Sequence, residues 1–482
     1  VKPLIVILFV LLADFSTAQT KTFPTYCNCA DNMDYTITQI KNNYVGYQDK
    51  TQGRRREFNE FTKRLSNKAN KENNTSKCLY LINLWLSFFD DKHIRIDITH
   101  NSDDAVRSIF STSDTVRFEI KDFKLALQKQ KFFDKIEGIW QNPSGSMEMG
   151  ITRLDKKNEF VGFILRYDSV YWMPKQVRMT VKKQKTKYQT FWYNGDHASF
   201  SNLVATVDQN SIQLGGIGKL YKVYPTDTAK HHSVIRKDNQ KTIDFRLLDN
   251  ETGILVLKSF QIKHKKTIDS LLISNEHILK SLKNLIIDLR NNTGGLNPSF
   301  EKVIPYLYTN PITIDGSSIL ATSTNIKYYN LQSIENSKYM DEDRRKRREN
   351  LISLMKQYEG TFTPLSKDSV IHYDTILPYP SKVAIIINEY TASSAEFFLL
   401  RARQSTKVKV FGQPTMGAVD YVDMLTLDDA PNKLFHLSYP MTKTSRLIKN
   451  PHTSSKLQPD ILLSNDLTDW VLYIKEYLNK NW

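Results

Sequence analysis

Two short runs constrain the fold more than anything else in the chain: Leu285-Ile286-Ile287-Asp288-Leu289 and Val383-Ala384-Ile385-Ile386-Ile387. Each is almost wholly apolar and ends in a polar turn. A strand with one wet face alternates polar and apolar residues, so an uninterrupted apolar strand has to be covered on both faces. Residues 253–260 read as a further strand. Residues 268–282 and the Phe397-Phe398-Leu399-Leu400 stretch read as helices. Strands alternating with helices from about residue 243 imply an α/β layered unit.

The preceding chain has other patterns. Residues 31–90 carry apolar positions at helical spacing, at Phe58, Phe61 and Leu65 and again at Leu79, Leu81, Leu84 and Leu86. The polar residues 66–76 separate them as a loop, and Ile94, Ile96 and Ile98 alternate as a strand does. Residues 131–225 hold aromatic and β-branched runs divided by Asn194-Gly195-Asp196 and Gly215-Gly216, the pattern of a small antiparallel β domain. Residues 331–358 are a charged amphipathic segment whose plain reading is a solvated helix face. The expected organisation is a leader over 1–18, a helical region over 19–100, a linker over 101–130, a β-rich domain over 131–240 and an α/β domain over 241–482.

The leader reading rests on Lys2, the apolar run 4–12 and the small residues Ser16 and Ala18. The run is too short to remain in a bilayer, so a cleaved secretory signal fits it better than an anchor. An exported protein, periplasmic or extracellular, is expected. Its three cysteines, Cys27, Cys29 and Cys78, allow one disulfide and one free thiol, with Cys29–Cys78 a candidate pair. A Cys-x-Cys without a matching histidine is a poor metal site, and no metal or organic cofactor is expected. The net charge of +16 comes without a nucleic-acid motif, so it reads as a lysine-rich surface and no nucleic-acid partner is expected.

Chemistry concentrates at two strand ends. Asp288-Leu289-Arg290-Asn291-Asn292-Thr293-Gly294-Gly295 runs a buried strand into a turn whose glycines let backbone N–H groups approach a ligand, as an oxyanion site requires. Thr391-Ala392-Ser393-Ser394-Ala395-Glu396 puts a serine between a buried strand and a helix start, where amides are unpaired and the helix dipole is positive. Ser393 with Glu396 also has the spacing of a capping box, and by pattern alone capping is the stronger reading. A nucleophilic serine needs a base. His93, in Asp90-Asp91-Lys92-His93, is the candidate among ten histidines because it lies at a polar turn after a helix.

Together with Gly412-Gln413-Pro414-Thr415-Met416-Gly417 and Gln458-Pro459-Asp460, these segments resemble, in order, the motifs of the tail-specific (C-terminal processing) serine proteases. The resemblance covers about 243–482 and reaches His93 through a segment similar to the Asp-Gly-His of the tricorn-like branch. It implies a crotonase/ClpP-like catalytic core, with Ser393 as nucleophile and His93 as general base. The amides of Ser394 and of Gly294 or Gly295 would be the oxyanion donors, and a polypeptide would be the substrate. The other branch of the family has a lysine base directly after Thr-x-Gly. Here that position is Ala418, which favours the Ser–His pair. The glutamate that the tricorn-like branch places before Pro-Asp is missing, because no Asp or Glu occurs between Pro431 and Pro459. Asp420 is the candidate substitute for that orienting carboxylate. Its absence also leaves open a rival reading, a binding protein on the same scaffold without hydrolysis.

Overall fold

The computed structural model describes residues 26–482 except 100–101, 131–132, 155–157, 196, 198–199, 215–216, 226–240, 337–340, 432, 450–454, 465–466, 468 and 481. The leader segment therefore lies outside the described residues.

Six strands form the central sheet in the order Ile243–Leu247, Thr252–Leu257, Asn284–Asp288, Lys382–Ile387, Val408–Gly412 and Ile461–Leu462. The first pair is antiparallel and every later pairing is parallel. The two apolar runs sit side by side at its centre, with Leu285 opposite Val383 and Ile287 opposite Ile385. Their side chains divide between two cores. Leu285, Ile287, Val383 and Ile385 pack with Ile268, Phe398 and Leu399. Ile286, Ala384 and Ile386 pack with Trp470, Ile474 and Leu478 of the last helix. Both faces are buried, which is why these strands do not alternate.

The N-terminal region is helical, with helices Cys29–Asn43, Arg55–Ala69 and Thr75–Leu86. The second of these runs through residues 66–69, so the polar loop is shorter than the sequence suggests. Cys29 and Cys78 are joined as a disulfide between the first and third of these helices, and Cys27 is free and buried. Past the third helix the chain turns through Ser87–Phe89 into strand Arg95–Ile98. This strand pairs antiparallel with Phe435–Thr444, with Ile96 opposite Leu437, in a second sheet that also holds Tyr421–Leu427, Ser317–Leu320 and Phe362–Ser366.

Residues 101–130, expected as a linker, contain helices Asp103–Phe110 and Ile120–Lys129. The apolar spacing of Val106, Ile109 and Phe110 puts them in the N-terminal core, while Phe123 packs on Phe163. The β-rich stretch from Gly138 to Tyr224 closes as an eight-stranded antiparallel barrel. Its interior is filled by side chains including Trp140, Met149, Phe160, Met179 and Ile212, as expected for eight strands. Within the charged stretch 331–358, residues 331–336 and 342–357 lie in helices Ser323–Asn336 and Glu342–Gln357.

Candidate active site

The Ser393 turn follows strand Lys382–Ile387 and opens helix Ser394–Ala402. Ser393 takes φ +55° and ψ −121°, a conformation costly for a residue with a Cβ and concentrated at functional sites. One half of the capping pattern is formed, and the Ser393 hydroxyl makes no cap hydrogen bond among the described residues. The Glu396 N–H donates to the Ser393 carbonyl, and the Glu396 carboxylate accepts the Ser393 N–H at 2.8 Å.

Glu396 does more than cap. Its side chain is fully buried and also accepts from the Thr415 hydroxyl at 2.6 Å, the Gly417 N–H at 3.0 Å and the Ala418 N–H at 2.8 Å. Burial pushes its carboxyl above the ordinary value, and these four donors pull the other way. One carboxylate thus joins the Thr391–Glu396 and Gly412–Gly417 motifs. The first motif locks onto them as well: Ala392 N–H donates to Asn292 O at 2.9 Å, and Asn291 and Asn388 exchange bonds of 2.9 and 2.8 Å.

The glycine turn lies directly under Ser393. A Cβ on Gly294 would come 2.8 Å from the Ser393 Cβ and 2.9 Å from the Ser394 N, at a φ of +97°. Gly294 is buried and its N–H is taken by Asn292 Oδ1 at 2.9 Å. Gly295 is exposed, and among the described residues neither its N–H nor that of Ser394 has a hydrogen-bond partner. The Ser394 hydroxyl donates to the Gly295 carbonyl at 2.8 Å, tying these two residues together. Of the two candidate glycines, Gly295 is the one with an amide to offer an oxyanion.

His93 arrives from the N-terminal region. Its Nδ1 lies 2.7 Å from the Tyr421 carbonyl oxygen. A carbonyl can only accept, so Nδ1 carries the hydrogen and Nε2 of the neutral ring has its lone pair free. Asp91, its side chain almost fully buried, accepts the His93 backbone N–H at 2.9 Å and the Tyr44 hydroxyl at 2.8 Å. One of its oxygens is 3.9 Å from His93 Nδ1. Burial raises the Asp91 carboxyl, against the pull of His93 and these hydrogen bonds.

Ser393, Ser394, Gly295 and His93 line one cavity of about 620 Å³, together with Asp423, Arg401 and Arg446. Asp423 is exposed at the cavity wall, and desolvation by the protein around it raises its carboxyl. Asp420 is not among the lining residues. It is buried, accepts the Ser455 hydroxyl and pairs with Arg446 at 3.1 Å. The sequence reading passed over Asp91 and Asp423. Asp91 had a signal, as the acid two residues before the histidine, whereas Asp423 had none. Among the described residues no cluster of His, Cys, Asp and Glu could hold a metal ion.

Residues 251–463 match the model of Peptidase family S41. This stretch is similar to that family, and the chain is a serine peptidase, a hydrolase of peptide bonds in polypeptide substrates. Solved structures similar to this chain include mature CPAF (10% identity, covering 90% of this chain and 92% of that chain, TM-score 0.48). A lipoprotein from Streptococcus agalactiae is similar at 14% identity, with 94% and 96% covered and a TM-score of 0.39. The photosystem II D1 C-terminal processing protease is similar at 12%, with 94% and 98% covered and a TM-score of 0.37. No curated protein sequence matches the chain. Among the described residues no helix is long and apolar enough to cross a membrane.

Proposed function

We propose that this serine peptidase cleaves peptide bonds through a Ser393–His93 acyl-enzyme mechanism. The observation that carries the reading is the single cavity lined by Ser393, His93, Gly295 and Ser394, residues drawn from three distant segments of the chain. His93 Nε2 takes the Ser393 hydroxyl proton as Oγ attacks the substrate carbonyl. The resulting oxyanion is met by the N–H groups of Gly295 and Ser394, at the N-terminus of helix Ser394–Ala402. The tetrahedral intermediate then collapses, and the leaving amine takes the proton from His93. Water gives a proton to His93 and attacks the ester carbon, and as the second tetrahedral intermediate collapses the Ser393 Oγ leaves and takes that proton back from His93.

The Tyr421 carbonyl holds the tautomer, and Asp91 supplies negative charge beside the imidazolium that forms. The Tyr421 carbonyl and Asp91 thus divide the orienting and charge-supplying parts of the role for which Asp420 was the sequence candidate. A carboxylate beside His93 speaks against a non-hydrolytic binder. Continuous parallel strands leading to a nucleophile at a helix start support a crotonase-like core. The Cys29–Cys78 disulfide supports an exported protein.

The direct test is hydrolysis of an unfolded protein substrate such as reduced casein. Cleavage by the wild type that disappears in Ser393→Ala, with folding intact, supports the mechanism. Equal cleavage by both proteins overturns it.

A further inference from the structure

A second cavity, of about 650 Å³, lies away from the catalytic one and shares none of its lining residues. It opens at the seam between the N-terminal helices and the barrel. Tyr80 and Leu81 on helix Thr75–Leu86 form one wall, and Val161, Val177 and Tyr193 on barrel strands form the other.

Trp172, which also lines this cavity, is 2% exposed, and its indole N–H has no hydrogen-bond partner among the described residues. A buried donor left unmade costs about 1–3 kcal/mol, so its retention needs a reason. The ring is also pinned. His197 stacks on one side with centroids 3.5 Å apart, the Arg178 guanidinium lies 4.3 Å from its centroid, and Phe110 stacks on His197 at 4.3 Å. Desolvation takes His197 down to about 3, so this stack presents a neutral imidazole.

At the rim, Lys68, Lys71 and Lys77 are exposed, line the same cavity and form no ion pair among the described residues. Two acids line the same cavity: Glu72, which already accepts the backbone N–H groups of Asn73 and Asn74, and the exposed Asp114. The cavity therefore offers an apolar and aromatic body, a buried unpartnered indole N–H in its wall and a mouth where three lysines outnumber two acids, at a volume typical of a small-molecule site.

We propose that it binds a small amphiphilic carboxylate: an apolar or aromatic body with a hydrogen-bond acceptor for Trp172 and an anionic end for the lysines. The test uses the full chain and dansyl-phenylalanine, which combines these three features and reports binding by its fluorescence. Saturable one-to-one binding is expected, weakening as salt is raised. Trp172→Phe keeps the stacked ring and removes the donor, and should weaken binding about three- to tenfold. Lys71→Gln with Lys77→Gln, both at exposed positions, should weaken it by a similar factor and flatten the salt dependence. The neutral amide of the probe should bind less tightly than the acid. Circular dichroism confirms that each variant is folded. Absence of saturable binding, or binding unchanged in both variants, overturns the proposal.

Discussion

His93 Nδ1 lies 2.7 Å from the carbonyl oxygen of Tyr421, a residue 328 positions further along the chain. A histidine from the helical N-terminal region is thus oriented by a strand that follows the nucleophile in sequence. The contact depends on the pairing of Arg95–Ile98 with Phe435–Thr444, which in turn pairs with Tyr421–Leu427. On the proposed mechanism, catalytic competence requires the N-terminal region and the strands after Ser393 to be folded together.

Asp91 adds charge to this arrangement but does not fix the tautomer. In Asp91→Asn the amide can still accept the His93 N–H and donate to the Tyr44 hydroxyl, so the turn should survive. Only the negative charge 3.9 Å from Nδ1 is lost. We expect kcat to fall about 10- to 100-fold with KM little changed, less than the roughly 10⁴-fold seen when a triad acid that sets the tautomer is neutralised. Steady-state kinetics on a peptide substrate checks this, and an unchanged kcat would mean that Asp91 is only structural.

Glu396→Gln should be far less tolerated than an exposed Glu→Gln change. Each carboxylate oxygen accepts two hydrogen bonds, from Thr415 and Gly417 on one and from Ser393 and Ala418 on the other. A glutamine places an NH₂ against two donors whichever way it turns. A stability loss of about 2–4 kcal/mol is expected, read as a lower melting temperature, with activity falling because the Ser393 turn loses its anchor.

The buried His197 makes stability depend on pH in a definite direction. Its value falls from 6.5 to about 3, mainly by desolvation. A histidine depressed in the folded state binds its proton more readily when unfolded. Its contribution is therefore complete above pH 6.5 and is lost as pH drops from there toward 3. His197→Phe keeps a ring in the stack with Phe110 and Trp172. Melting temperatures measured across this range should fall less steeply in the variant than in the wild type, and parallel curves would contradict the assignment.

The central strands and the Ser393 turn were legible because a continuous apolar run and a helix-start pattern are local signals. The barrel was legible only as a set of strands, since period-two alternation does not say whether a sheet closes. The helices at 103–110 and 120–129 were missed within a segment expected to be a linker. Choosing Gly295 over Gly294 depends on the Asn292 side chain occupying one amide, and the spacing of the glycines does not reveal that. Asp420 was the sequence candidate for the missing orienting carboxylate, but its side chain pairs with Arg446. Asp91 reaches His93 through a tight turn, so its role follows from geometry and not from periodicity.

Labelling of Ser393 by a fluorophosphonate, followed by mass spectrometry, tests the central claim most directly. The wild type should acquire one adduct on the peptide containing Ser393, and Ser393→Ala should acquire none. His93→Gln should label at least about 100-fold more slowly, as expected when the base of an activated serine is removed. Equal labelling of Ser393→Ala, or an undiminished rate in His93→Gln, would contradict the Ser393–His93 account.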